Sequence, residues 1–271
     1  MKMTVVTIFP PLFEGLLSEG IVARAITKGL VKIDVLNLRD FSTDGYKTVD
    51  DYPYGGGPGM VMKVEPILKA VSSVTGLDYL AGSTEGRSSS AGVQHGVKVG
   101  TEPTTRIVVP SPQGRRYDQN VASELSSCDS IVLICGRYKA IDERVVEILG
   151  AEEISIGDYV LSGGELPAMV LIESVVRLIP GAMEDEDSAA GDSFEEGILD
   201  CAYYTRPESV AGRSVPEILL SGNHEAIRKW RRKNRLSRTL QRRSDLLDTA
   251  ILGDEDKKLL RECKKELEAG G

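Results

Sequence analysis

Three short stretches of this chain hold the residue types that small-molecule chemistry needs. The longest runs Ser155-Ile156-Gly157-Asp158-Tyr159-Val160-Leu161-Ser162-Gly163-Gly164-Glu165-Leu166-Pro167-Ala168. It reads as a strand end, a turn built on two glycines, and a helix start. Without a Cβ, glycine lets a backbone come close to a ligand, and the polar groups that a turn leaves unpaired need partners. A small molecule with polar edges is one such partner; taken by itself, the stretch reads more simply as a tight strand-to-helix corner. The second stretch, Ser111-Pro112-Gln113-Gly114, follows the apolar run ending at Val109, and the third, Cys135-Gly136-Arg137-Tyr138, follows Ile131–Ile134. Ligands of parallel sheets gather beyond the carboxyl ends of the strands. Three such turns can therefore converge on one pocket.

Two further features point to a polyanion and to a flat ring. Between Ala226 and Arg243 the chain carries nine cations (Arg228, Lys229, Arg231, Arg232, Lys233, Arg235, Arg238, Arg242, Arg243) and no acid. Helical spacing puts Arg228, Arg231, Arg232 and Arg235 on one face beside Trp230, the only tryptophan. An ordinary solvated face mixes its signs, so this one reads as a phosphate-binding surface. The loop Tyr54-Gly55-Gly56-Gly57-Pro58-Gly59-Met60 is neither a P-loop nor GxGxxG. It suits a cleft for a flat ring or a hinge, and motif rules leave the two open. Asp192 reads on composition as one solvated charge among many. Arg177 reads as an exposed residue or a partner of a helix dipole.

Apolar periodicity supplies the elements that would position these residues. Thr4–Phe9, Val31–Leu38, Arg106–Val109 and Ile131–Cys135 read as strands, and the last two are continuous apolar runs that suit burial on both faces. Helices are expected around Leu12–Leu17, Ile21–Lys28, Val64–Val74, from an Asp118 cap to Leu125, and over Ile141–Leu149 and Glu165–Ile179. Strands separated by helices predict an α/β fold with a parallel sheet. Residues 76–102, rich in Gly, Ser and Thr, read as a flexible insertion. The acidic segment 184–197 reads as a mobile linker. A basic helix capped by Asn223 and a helix over Asp254–Leu267 follow, so 198–271 reads as a small all-helical domain after a first domain over 1–183.

Bulk composition narrows the function classes. The 271 residues carry a net charge of −8, four cysteines without a CxxC pair and two histidines. That pattern argues against a disulfide framework or a structural zinc site. The apolar N-terminal run stops at Pro10 and no stretch approaches a membrane span, so a cytoplasmic protein is expected.

In order along the chain, Thr48–Met60 (TVDDYPYGGGPGM), Ser111–Gly114 (SPQG), Cys135–Tyr138 (CGRY), Ile141–Arg144 (IDER), Ser155–Met169 (SIGDYVLSGGELPAM), Ile179–Gly181 (IPG), Asp192–Phe194 (DSF), Tyr204–Pro207 (YTRP) and Leu219–His224 (LLSGNH) resemble the bacterial tRNA (guanine-N1)-methyltransferase family, TrmD. The resemblance implies a SPOUT-type parallel sheet with a C-terminal trefoil knot, a homodimer with active sites at the subunit interface, and a helical tRNA-binding domain. It implies transfer of a methyl group from S-adenosylmethionine to N1 of the guanosine 3′ of the anticodon (position 37), a modification that supports reading-frame maintenance. Carried over, Ser111, Pro112, Gln113, Gly136, Tyr138, Ser155, Ile156, Gly157, Tyr159, Leu161, Gly163, Gly164 and Pro167 would line the cofactor pocket. Asp192 would be the general base for the N1 proton and Arg177 would stabilise charge on O6. Gly55, Pro58, Gly59 and Met60 would floor the flipped guanine, and Arg228, Arg231, Arg232 and Arg235 would clamp the tRNA backbone. An exposed carboxylate is a weak base at neutral pH, so the implied mechanism has the linker order on tRNA binding and close the site.

One departure stands out. Where the family has Glu-Gly, this chain has Lys139-Ala140. The swap reverses a charge beside the sulfonium end of the cofactor and leaves the family's magnesium requirement open here; no metal ligand is assigned. Two rival readings remain: a non-catalytic RNA-binding regulator, which cofactor calorimetry would reveal, and a related SPOUT enzyme acting on another nucleotide, which product mapping would reveal.

Overall fold

In the computed structural model, which describes residues 1–81, 104–183 and 191–270, the apolar runs form one parallel sheet. The first unit, Met1–Glu184, runs β1 (Lys2–Thr7), α1 (Glu14–Ser18), α2 (Gly20–Thr27), β2 (Lys32–Asn37), β3 (Asp50–Asp51), β4 (Val61–Met62), α3 (Val64–Thr75), β5 (Thr105–Arg116), α4 (Gln119–Ser126), β6 (Ser130–Ile134), β7 (Ala140–Ile141), α5 (Glu143–Leu149), β8 (Glu152–Ser155) and α6 (Glu165–Arg177). The central sheet has the order β2-β1-β6-β5-β8, and every neighbouring pair is parallel.

Alternation along the strands divides the core between two faces. Met3, Val5, Val108, Ile131 and Leu133 face a layer built from α2, α4 and α6, which supply Val22, Val121, Leu125, Leu171, Ile172 and Val175. Val6, Ile107, Val109, Val132 and Ile134 face the opposite layer, where α3 and α5 supply Ile67, Leu68, Val71 and Val145. Asp118 caps α4 as expected, accepting a hydrogen bond from the Val121 N–H at 3.0 Å. Two expectations are adjusted. Ile141 belongs to the short strand β7, and α5 starts only after Asp142, whose side chain caps Arg144. The strand beginning near Arg106 continues past the expected turn: its pairing with β8 breaks between Pro110 and Arg115, so Ser111–Gly114 is an excursion between two paired stretches.

The second unit, Asp185–Gly271, contains β9 (Ser209–Val210), β10 (Arg213–Ser214), α7 (Glu217–Leu220), α8 (His224–Arg242) and α9 (Asp254–Gly270). Its core joins Ile198, Leu236 and Leu259, and the Asn223 side chain caps α8 by accepting from the Ala226 N–H. The expectation of a purely helical unit is corrected by the β9–β10 hairpin. Ala211 and Gly212 both take positive φ there, 50° and 75°, the backbone that a two-residue hairpin turn requires. Residues 82–103, most of the expected insertion, and 184–190, half of the expected linker, lie outside the described residues.

Candidate active site

Beyond the carboxyl ends of β5, β6 and β8 lies a cleft of about 280 Å³. All thirteen residues expected at a cofactor pocket line it: Ser111–Gln113 from the β5 excursion, Gly136 and Tyr138 from the turn after β6, Ser155–Gly157, Tyr159, Leu161, Gly163 and Gly164 from the turn after β8, and Pro167 from α6. A parallel sheet leaves its strand ends facing one rim, which is why turns separated in sequence by whole strand–helix units meet here. The Gly164 N–H donates to the Gly136 carbonyl at 2.8 Å and ties two of the turns together. A Cβ at Gly164 would fall 2.9 Å from the Cys135 Cα and 2.9 Å from the Gly136 nitrogen, so the position admits no side chain. Apolar side chains (Ile141, Val146, Leu161, Pro167) share the walls with the charged Lys139, Glu143 and Glu153. This mixture of apolar walls and backbone-rich turns fits a flat heterocycle with polar edges.

Beneath the turns lies a buried polar network that the sequence reading missed. Glu165, 1% exposed at the first position of α6, accepts from the Thr7 hydroxyl and from Arg137 Nε, each at 2.8 Å. The Thr7 hydroxyl in turn accepts from the Phe9 N–H at 3.0 Å. The Arg137 guanidinium sits 4.6 Å from the centroid of the Phe9 ring and donates to the Ser162 carbonyl. One arginine thus joins the end of β1 to the turns after β6 and β8. The available signal was a charged pair flanking glycines: Arg137 after Gly136, and Glu165 after Gly163-Gly164.

The glycine-rich loop joins β3 to β4 in a three-stranded ladder, β3-β4-β7. Gly55, Gly56, Gly57 and Gly59 all take positive φ, from 76° to 108°, a run that only glycine adopts without strain. Its base reaches the cleft, because the Lys139 N–H donates to the Met60 carbonyl at 2.9 Å. Gly55, Pro58, Gly59 and Met60 therefore lie on a loop that borders the cleft through Lys139. Tyr138 has a left-handed backbone, φ 63°. Burial, and then the Asp50 carboxylate, push its phenol up.

The remaining expected residues divide between the units. Arg177 is the half-buried last residue of α6, and Asp192 is half-buried in the second unit. The basic face of α8 is corrected most. Arg232 Nε and Nη2 donate to Asp256 at 2.6 and 2.8 Å, and Nη1 pairs with Glu196. Arg235 is 8% exposed and pairs with Glu196 at 3.2 Å. Arg228 pairs with Glu225 and Glu255, and Lys233 with Glu262 and Glu266. The four arginines do not act as one face: Arg232 and Arg235 are held against Asp256 and residues 196–199, whereas Arg228 and Arg231 are exposed. Arg231, like Lys229 and Arg242, is exposed and makes no ion pair among the described residues. No group of three or more His, Cys, Asp or Glu side chains fit to hold a metal occurs among the described residues. No described helix is long and apolar enough to cross a membrane.

Comparison with known proteins agrees with the motif pattern. The model of the family described as tRNA (Guanine-1)-methyltransferase TrmD matches residues 1–249. The chain is similar to the tRNA (guanine-N(1)-)-methyltransferase of Dictyoglomus turgidum, 48% identical over 267 residues that cover 98% of each chain. It is 47% identical to that of Shewanella sediminis over 262 residues (97% of this chain, 99% of the relative). It is also 47% identical to that of Pseudomonas entomophila over 266 residues (98% and 97%). Matched along nearly its whole length, and with the family's turns gathered at one cleft, the chain belongs to the tRNA (guanine-1)-methyltransferase TrmD family.

Proposed function

We propose that this chain methylates N1 of the guanosine immediately 3′ of the anticodon, position 37, with S-adenosylmethionine as donor. The observation that carries the reading is the cleft at the ends of three parallel strands, lined by all three motif turns. The residues fit the donor: apolar walls suit the faces of an adenine, and the closed approach at Gly164 leaves backbone groups to meet its edge. When bound, S-adenosylmethionine supplies an electrophilic methyl group on a sulfonium.

The chain's own residues deal with the guanine. N1 carries a proton and is a poor nucleophile until that proton leaves. Asp192 takes it, and the negative charge that spreads onto O6 is met by the Arg177 guanidinium. Gly55–Met60, depleted of side chains beside Lys139, supports the extruded base. The decisive experiment incubates purified protein with methyl donor and a tRNA transcript, then maps the product by nuclease digestion and mass spectrometry. N1-methylguanosine after the anticodon supports the reading, and an unmodified nucleoside there overturns it. Asp192→Asn is expected to abolish transfer while cofactor affinity stays within about twofold by calorimetry.

The finer architecture belongs to the same proposal. The trefoil knot around the cleft is proposed on membership of the family. Leu166 and Val170, 58% and 45% exposed one turn apart on an otherwise apolar helix, support a homodimer formed through α6. The second unit is the tRNA-binding domain, and its exposed Lys229, Arg231 and Arg242 are the cations left to meet phosphates. With Lys139 in the cleft, magnesium has no assigned ligand here.

A further inference from the structure

We propose that Arg232 and Arg235 are positioning residues for methyl transfer: through Glu196 they seat the connector that carries Asp192, and they are not tRNA phosphate ligands. The inference rests on the reading of Asp192 as the base. Arg235 is nearly buried, and its one ion-pair partner among the described residues is Glu196. It also donates to the Leu199 carbonyl at 3.4 Å. Arg232 spans Glu196 and Asp256, so a phosphate could reach either guanidinium only by displacing a carboxylate already in contact.

The connector is correspondingly well held. Its turn closes on itself, with the Glu195 N–H to the Asp192 carbonyl at 3.4 Å, Gly197 N–H to Phe194 at 3.0 Å and Phe194 N–H to Ile198 at 2.9 Å. The Ser193 hydroxyl accepts from the Asp200 N–H at 2.9 Å. The segment then lies along α8: Thr239 Oγ1 accepts from the Leu199 N–H at 3.0 Å and Asn234 Oδ1 from the Ala202 N–H at 2.8 Å. Ile198 is buried against Leu236, and Arg243 stands 6.0 Å from the Phe194 ring centroid. Residues 191–197 are thus bound to the helical unit, where the composition had suggested a loose tether. Among these anchors, Glu196 lies four residues from Asp192 and is held by two arginines.

Glu196→Gln separates the two readings because they predict different outcomes. Removing an acid beside phosphate-binding cations leaves tRNA affinity unchanged or tightens it, on electrostatic grounds alone. If Glu196 seats the base, single-turnover methyl transfer at saturating tRNA and cofactor falls about tenfold or more, while tRNA affinity does not weaken and cofactor affinity is unchanged. Glu196→Asp, which keeps the charge on a shorter arm, recovers part of the rate; it also decides the matter should Glu196→Gln lower the melting temperature of the second unit. A wild-type rate for Glu196→Gln overturns the proposal, and so, in that second case, does a Glu196→Asp variant of native melting temperature whose rate is no higher than that of Glu196→Gln. Asp192→Asn is run alongside. Turnover retained by Asp192→Asn refutes the base itself, and the seating proposal with it; turnover lost there but kept by the Glu196 variant refutes the seating alone.

Discussion

Arg137 Nε and Glu165 Oε2 meet at 2.8 Å beneath the cleft, with the carboxylate almost fully buried and the guanidinium shielded by Phe9. A buried ion pair contributes little beyond its own desolvation cost, but losing one partner strands the other charge. Arg137→Ala is therefore expected to lower stability by about 3–5 kcal/mol, read from urea denaturation. Thr7→Val removes one neutral donor and should cost about 1–3 kcal/mol. Equal, small effects from both substitutions would show that the network is not what holds the turns.

Gly164→Ala tests the cradle directly. Its Cβ would meet backbone atoms of Cys135 and Gly136, which cannot swing aside as a long side chain can. Calorimetry is expected to show cofactor affinity reduced at least tenfold. Gly15→Ala, on α1, where the added Cβ meets nothing within 4 Å, serves as the control and should bind normally.

Stability of the second unit should carry an acid limb from Asp256. Hydrogen bonds from Arg232 hold this carboxyl below its ordinary value. The folded state then binds the proton less readily than the unfolded chain, so the contribution is whole above about pH 4 and is lost as pH falls through the depressed value. Trp230, the only tryptophan and part of α8, reports melting of this unit by fluorescence. Asp256→Asn should be less stable near neutrality and flatter below pH 4. A wild-type acid slope in that variant would exclude the pair as its source.

The division of labour on α8 has its own measurement. Lys229→Glu with Arg231→Glu should weaken tRNA binding and flatten its dependence on salt by about one unit of log–log slope per lost phosphate contact. The double variant should keep the native melting temperature within a few degrees, because neither residue is ion-paired among the described residues. An unchanged salt slope would place the RNA on another surface.

The sheet was largely legible because its strands are covered on both faces, and continuous runs such as Ile131–Ile134 cannot sit elsewhere at low cost. The caps at Asp118 and Asn223 were legible too, because the side-chain chemistry is local. The two-residue strands β3, β4 and β7 left no trace, since two residues cannot show alternation. The cleft residues were found by their place after strands and by family likeness, and geometry alone gathers them. What the sequence hid was pairing across distance. The α8 cations looked unopposed because most of their acids come from residues 196, 255, 256, 262 and 266. Arg137 and Glu165, 28 residues apart, were hidden in the same way.

The excursion at Ser111–Gly114 is clamped at both ends, since Pro110 and Arg115 each pair with Ile154. A Cβ on Gly114 would lie 2.2 Å from the Glu153 carbonyl carbon, so the loop is pressed flat where it rejoins. Gly114 admits no side chain, and the strand pairing on either side locks the residue count. Deleting one residue would turn Arg115 to the opposite side of its strand and separate it from Glu124, 2.8 Å away. Substitutions at Ser111, Pro112 and Gln113 therefore reshape the wall of the cleft and leave the sheet intact, whereas insertions and deletions dismantle the strand pairing.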